Sequence, residues 1–309
     1  MLVYIVRRLL WLPVLLLLVG LITFALGLYG PGDPVQVMLG PRANPEAVAR
    51  VRHELGLDRP FLVQYADYIW KALHGDLGES LKYRGQPVSR LIASRLWVSV
   101  QLNAVALALG VAVGVPLGVV AALKRNTWLD YLTISGVVAG ISLPTFVIAP
   151  ILMWFLAFRF RLLPTGGWEG IFSRRIIMPA IVLATGPIAV FARQTRASVL
   201  EVMGQDYVRT AWAKGLPERL VVLRHVLRNA LIPVFTILGL MMGSLVTGTF
   251  VTETIFGIPG IGRLGVESFF ARDYPVIIAL TMLVATSYTL ANLLVDIGYR
   301  FLDPRIRYQ

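Results

Sequence analysis

Metal or acid–base chemistry in this chain would have to rest on three histidines, His53, His74 and His225, because the sequence contains no cysteine. None of them has a second ligand three or four residues away, the spacing that puts two side chains on one helix face. Each reads as an ordinary polar residue, and no bound metal is expected. The lack of cysteine also removes any disulfide framework, thiolate site or cysteine nucleophile. No G-x-x-x-x-G-K-[ST] phosphate loop occurs, so the chain itself is not expected to hydrolyse ATP. An intramembrane enzyme would need catalytic side chains converging at membrane depth, and the apolar runs carry few of the right type. The chain therefore reads as a non-enzyme with no cofactor of its own.

What the apolar runs do carry is a scatter of neutral polar residues, which are costly there and so informative. They are Gln101 and Asn103, Ser142 and Thr145, Thr247 and Thr249, and Asn292. Singly, each reads first as an interhelical hydrogen bond; as a set they suit a translocation path for a polar solute. Asp296 and Arg300, four residues apart, read as a local ion pair. Glu253, Gly257, Ile258 and Pro259 belong to the stretch Thr252-Glu-Thr-Ile-Phe-Gly-Ile-Pro-Gly-Ile-Gly262, where glycines and a proline end a helix abruptly. Non-helical backbone at membrane depth has to be shielded by protein or line a cavity.

The elements that must position these residues are helices in a bilayer. The chain is 57% hydrophobic with mean hydropathy +0.72, and several runs approach the roughly 18–20 apolar residues that cross a membrane. The net charge of +12 comes from basic residues scattered singly, without the aromatic-interleaved basic face of a nucleic-acid binder. Six spans are predicted: Leu9 to Tyr29, Leu96 to Leu123, Tyr131 to Phe158, Ile176 to Phe191, Leu231 to Thr252 and Val276 to Tyr299. The first is too long for a signal-peptide core and reads as uncleaved. Gly110, Gly114 and Gly118 form a small-residue stripe that admits a second helix at close range. Pro144 and Pro150 should kink the third span.

Residues 30 to 95 read as a polar insert. Gly30-Pro-Gly-Asp-Pro34 breaks the first helix; Asn44 caps a short one that starts at Pro45 and ends at Gly56. Phe61, Tyr65, Tyr68, Ile69 and Leu73 make the apolar face of another helix, stopped by His74-Gly75, and Pro87 starts a third that leads into the second span. With the N-terminus inside, the 29 basic residues divide into 14 cytoplasmic and 15 outer ones. Long loops cross the membrane regardless of charge, and setting aside the nine basic residues of 30–95 leaves 14 against six, which favours both termini inside.

Between the fourth and fifth spans lies the longest polar segment with a cytoplasmic pattern. Leu200, Met203, Tyr207 and Ala211 give one helix an apolar stripe. Gly215 supplies a left-handed turn, Pro217 opens a second helix, and Leu216, Leu220, Leu223 and Leu227 continue the stripe. An amphipathic connector with no partner would also show this pattern.

Here Arg209-Thr-Ala-Trp-Ala-Lys-Gly215, followed by His225-Val-Leu-Arg228, resembles the "EAA…G" loop of ABC-importer permeases. Asp206-Tyr-Val-Arg-Thr-Ala, Ala213-Lys-Gly-Leu216 and Leu227-Arg-Asn-Ala-Leu-Ile-Pro233 are similar to the form found in dipeptide/oligopeptide permeases, a group with nickel and glutathione relatives. Arg209, Thr210 and Arg228 depart from the general motif in the manner of that branch. Glu54-Leu-Gly-Leu-Asp-Arg-Pro60, His74-Gly-Asp-Leu-Gly78, Arg272-Asp-Tyr-Pro275 and Leu302-Asp-Pro-Arg-Ile-Arg-Tyr308 extend the likeness along the chain.

The resemblance implies an all-α integral membrane protein with six transmembrane helices, a type I ABC importer permease fold and a small helical extracytoplasmic insert. Residues 1–95 would hold the first span and the insert, and 96–309 the permease core with a cytoplasmic coupling loop over 193–230. Asp206, Tyr207, Arg209, Thr210, Ala211, Lys214, Gly215 and Leu216 would form the coupling helix that docks on an ATPase, and Glu253, Gly257, Ile258 and Pro259, in a stretch that resembles the family's outer re-entrant turn, would form an outer gate. Expected partners are a second homologous permease, two cytoplasmic ABC ATPases carrying ATP and Mg, an extracytoplasmic substrate-binding protein and the lipid bilayer, with no nucleic acid. The cell inner membrane is the expected location, and the insert is either a structural cap or part of the surface seen by the binding protein. Cargo would be a dipeptide, a longer peptide, a nickel chelate or glutathione. A stand-alone secondary transporter is the rival from another class, although the chain shows no internal repeat or buried ion-coupling residue.

Overall fold

The computed structural model describes residues 2–29, 35, 39, 40, 43–54 and 56–302; the side chains of 2–6, 8, 9 and 294–302 are outside the description. The break at Gly30–Pro34, the pair Asp296–Arg300 and the tail after Leu302 therefore lie outside the described residues or side chains. Among the described residues the fold is helical, with a single isolated bridge between Glu79 and Pro87.

Helix α1, Leu2–Tyr29, is the first span. The insert follows the expected pattern. Asn44 Oδ1 accepts the N–H of Glu46 at 3.1 Å at the start of α2, Pro45–Glu54, and Gly56 ends it at φ +66°. Helix α3, Phe61–Leu73, stops at His74 and Gly75, the latter at φ +83°. It lies on α1, with the Phe24 ring 5.8, 5.7 and 5.9 Å from Phe61, Tyr65 and Tyr68. Leu73, expected on that packed face, is instead exposed.

Helix α4, Val88–Leu123, runs unbroken from the insert through the second span. Its 36 residues measure about 54 Å, well beyond the bilayer core. The glycine stripe packs on α7, Ile177–Met203. A Cβ on Gly114 would stand 2.6 Å from the carbonyl oxygen of Ile188, and one on Gly118 2.5 Å from that of Ala192. Only glycine lets the two backbones come this close.

Two predicted spans are broken. Helix α5, Trp128–Ser142, meets α6, Thr145–Met153, and the π-helical turn Trp154–Arg159 at 101°. Pro144 does more than kink the third span. It holds Leu143 in extended backbone at ψ 122°, so the helix stops and restarts. The predicted fifth span, Leu231 to Thr252, is entered through a 45° bend where α9, Glu218–Ala230, joins α10, Ile232–Met242, and its helix ends with the short 3₁₀ extension Gly243–Val246, so that Thr247 and Thr249 lie beyond it. Four described helices are long and apolar enough to cross a membrane, and six spans result if each bent pair is one.

The fourth span continues as helix to Met203, twelve residues past its expected end at Phe191, and leads straight to α8, Asp206–Ala213. After α10 come α11, Phe250–Ile255, α12, Ile261–Phe270, and the last span α13, Tyr274–Leu302.

Candidate functional site

The polar hairpin is three helical pieces rather than two. Gly204 and Gln205 interrupt the first, so α8 is a separate two-turn helix at the end of a membrane helix. That break shifts its inward face. Val208 and Ala211 are buried, whereas Tyr207, expected inside, is exposed and accepts a 2.9 Å bond from Asn229 Nδ2. Gly215 closes the turn at φ +73° with its N–H on Trp212 O at 2.9 Å, as expected.

The second stripe is corrected more fully. Leu220 and Leu223 point outward, and the buried residues are Val221, Val222, Val226 and Ala230. The reason is a π-helical turn over Val221–Val226, whose wider repeat advances the inward face past the positions that a 3.6-residue period selects. Pro217 is the extended residue before α9 rather than its first helical residue.

A single apolar cluster seats both pieces on the membrane core: Ala122 of α4, Val199 of α7, Val208 and Ala211 of α8, and Val221, Val226 and Ala230 of α9. Outward, α8 presents Asp206, Arg209, Thr210 and Lys214, with Leu216 half-buried at its foot. The arrangement is a rigidly backed, charged, solvent-facing helix.

Beside it lies a contact without a local sequence signal. Asp130, at the start of α5, is buried and takes two parallel bonds from Arg196 of α7, Nε to Oδ1 at 2.7 Å and Nη2 to Oδ2 at 2.8 Å. The N–H of Asn126, at φ +61°, adds a third at 3.1 Å.

At the opposite end of the core, Glu253 is fully buried. It accepts Ser99 Oγ at 2.7 Å from α4, the N–H of Thr249 at 3.1 Å and that of Arg263 at 2.8 Å; Ser99 Oγ in turn accepts the Ile261 N–H at 2.9 Å. A Cβ on Gly260 would fall 2.5 Å from the carboxylate, which explains glycine there at an ordinary φ of −96°. Gly257 turns the chain at φ +64° before Pro259. Ile258 is 0% exposed and packs with Met178, Val182, Leu102 and Phe256. These four residues form a pinned turn, not a loose loop.

The polar residues of the spans separate. Asn103 Nδ2 bonds Leu245 O at 2.9 Å, joining α4 to the fifth span. Ser142 and Thr247 hydroxyls bond carbonyls of their own turns, Val138 and Ser244, at 2.8 Å each. Thr249 gives its N–H to Glu253 while its hydroxyl is buried without a partner. Gln101, Thr145 and Asn292 are half-buried on different helices. Thr247 borders an open cleft of about 590 Å³, with Gly248, Phe250, Thr281 and Tyr288.

Residues 114–308 match the family described as binding-protein-dependent transport system inner membrane component, and residues 1–100 match its N-terminal counterpart. The chain belongs to that family. It is 40% identical to the dipeptide transport system permease protein DppB of Escherichia coli, with all of both chains aligned. It is 39% identical to the DppB of Alkalihalophilus pseudofirmus and 42% to the glutathione transport system permease protein GsiC of Salmonella typhimurium, again over the full length of each. A solved structure of the MetNI methionine ABC transporter, inward facing, shares the fold at TM-score 0.53 and 18% identity, covering 67% of this chain and 95% of that one. Membership as an ABC-importer permease sets the stand-alone transporter aside.

In this family member the insert is clamped to α12 and to the turn before α13. Asp273, fully buried, accepts the hydroxyl of Ser80 in a short bond and the N–H groups of Leu81 and Lys82 at 3.0 and 3.2 Å. Glu267 of α12 accepts Tyr83 OH at 2.7 Å, Arg263 Nε at 2.6 Å and Lys82 Nζ at 3.1 Å. Burial pushes its carboxyl toward neutrality, but the bonds from Tyr83, Arg263 and Lys82 outweigh it and bring it down to about 2. Among the described residues no three histidines or carboxylates gather as a metal site.

Proposed function

We propose that this permease serves an ABC importer of di- or oligopeptides and supplies half of its translocation path. The observation that carries the reading is α8: a short charged helix, seated on the apolar cluster of α4, α7 and α9 and separated from a membrane helix by two residues. Such a helix transmits a push from a soluble partner to a span. Asp206, Tyr207, Arg209, Thr210, Ala211, Lys214, Gly215 and Leu216 would dock in a groove of a cytoplasmic ATPase. Two such ATPases, holding ATP and Mg, would close beneath this chain and a second homologous permease. Closure biases a two-state equilibrium between inward- and outward-facing forms.

In this reading the protein sits in the cell inner membrane with both termini cytoplasmic. Residues 1–95 contribute the first span and the extracytoplasmic insert, 96–309 the core, and 193–230 the coupling loop. A substrate-binding protein delivers cargo on the insert side. Gln101, Asn103, Ser142, Thr145, Thr247, Thr249 and Asn292 border the path at different stages of the cycle. The turn of Glu253, Gly257, Ile258 and Pro259 gates it by moving as one pinned body. Dipeptide cargo is supported by the two DppB relatives. Glutathione, itself a small peptide, is the second reading, favoured by the 42% identity to GsiC.

The test is affinity purification of the tagged chain in mild detergent, followed by mass spectrometry and reconstitution. One homologous permease and ATPases should co-purify, and ATP-dependent uptake should require the binding protein. Recovery of the chain alone, moving solute without ATP, would overturn the reading.

A further inference from the structure

Helix α3 of the insert has three different sides. One packs on α1 through Phe61, Tyr65 and Tyr68. A second is polar: Gln64 Nε2 bonds the carbonyls of Arg59 and Leu57 at 2.7 and 3.3 Å, and Lys71 pairs with Asp67 at 3.1 Å. These residues border a cleft against the α2–α3 loop. The third side has no charge at all. Leu62, Ala66, Trp70 and Leu73 follow one another at helical spacing, and Leu62, Trp70 and Leu73 are 68%, 66% and 76% exposed. A soluble cap would carry its charges on that face.

The depth of α3 says what covers it. Tyr65 donates its hydroxyl to the carbonyl of Leu17 at 2.6 Å and lies against Gly20. Leu17 stands near the middle of the apolar span Leu10–Tyr29, about 18 Å from its Tyr29 end. A tyrosine hydroxyl in water needs no such partner, whereas one in hydrocarbon has to find a protein acceptor. Over the same turns of α1 that α3 packs against, Leu18, Ile22 and Leu26 are exposed. Trp70, at the far end of α3 and tilted against His74 with ring centroids 4.7 Å apart, has the amphipathic character of residues at the headgroup boundary.

We infer that α3 is an interfacial helix lying in the leaflet at the Tyr29 end of the first span, with Leu62, Ala66, Trp70 and Leu73 buried in lipid. The inference requires only that α1 spans the membrane. That this leaflet is the outer one follows from the topology proposed above.

The chain has no cysteine, so the unmodified protein is its own blank. Leu62→Cys, Ala66→Cys and Leu73→Cys, each nitroxide-labelled in the assembled transporter in phosphatidylethanolamine/phosphatidylglycerol nanodiscs, report depth through the balance of oxygen and nickel-chelate relaxation. Ile22→Cys is the lipid reference and Ala49→Cys, exposed on α2, the aqueous one. The three α3 sites should behave like Ile22→Cys and sit about 5–10 Å below the headgroup boundary. Nickel-dominated relaxation, as at Ala49→Cys, would overturn the inference in favour of a soluble cap. Protection from both reagents would overturn it in favour of a covering protein subunit. Because the label reads depth and not transport, neither result bears on the importer reading.

Discussion

Asp130 and Arg196, 66 residues apart, face each other fork to fork through bonds of 2.7 and 2.8 Å. The pair ties the start of α5 to α7, one helix turn from Val199 and the cluster that seats α8. It braces the membrane helix that leads to α8.

Asp130→Ala should leave a half-buried guanidinium unpaired and cost about 2–3 kcal/mol, below the ~3–5 kcal/mol of a fully buried pair because Arg196 is 28% exposed. Thermal unfolding of the complex checks this. Arg196→Lys should rescue little, since an ammonium cannot supply the planar fork. Equal stability of Arg196→Lys and the unmodified chain would show that charge alone suffices.

Glu253→Gln should destabilise the Gly257–Pro259 turn by about 2 kcal/mol, because one amide N–H must then face a donor where the carboxylate accepted one. Ser99→Ala should weaken the same turn less, as it removes one donor and one acceptor together. Hydrogen exchange over 249–263 reads both variants, and unchanged protection in Glu253→Gln would remove the pin.

The Glu267 cluster predicts an acid-sensitive insert. Its carboxyl sits at about 2 in the folded chain against 4.5 when free, so its stabilising effect is complete above about 4.5 and is lost as pH falls toward 2. Limited proteolysis near residues 80–85 should accelerate across that window, and Glu267→Gln should flatten the dependence. A pH profile unchanged by Glu267→Gln would overturn the assignment to this cluster.

Gly215→Val should separate ATP hydrolysis from transport. The Cβ has open space, so the cost is the positive φ of +73°, about 1–2 kcal/mol for an ordinary L-residue and more for a β-branched one. The readout is the ratio of uptake to ATP consumed, and Gly215→Asn should stay near the unmodified value. Normal coupling in Gly215→Val would mean that the turn tolerates another conformation.

The parts of this fold governed by local rules are legible in the residues. Asn44 caps α2, Gly56, Gly75 and Gly215 take positive φ, and the glycine stripe marks the close crossing with α7. Helical periodicity fails where the period itself changes. The break at Gly204–Gln205 exchanges Tyr207 for Val208 at the buried position, and the π turn at 221–226 exchanges leucines for valines. Leu143–Pro144 signals a bend, but its 101° magnitude depends on what α6 packs against. Glu253 is conspicuous as an acid among glycines, yet its partner Ser99 lies 154 residues away. Asp130 and Arg196 look like members of ordinary basic loops until the fold brings them together.

Two residues separate α8 from a 27-residue helix about 40 Å long, which is itself pressed backbone to backbone against α4. The pair is a lever whose handle is α8. A tilt of about 5° imposed at the handle carries the far end of a 40 Å arm through about 3.5 Å, roughly the rise of two helical residues. A push on α8 on the scale of one side chain is thereby returned, with no joint longer than Gly204–Gln205 between, as a displacement of similar size at the far end of α7.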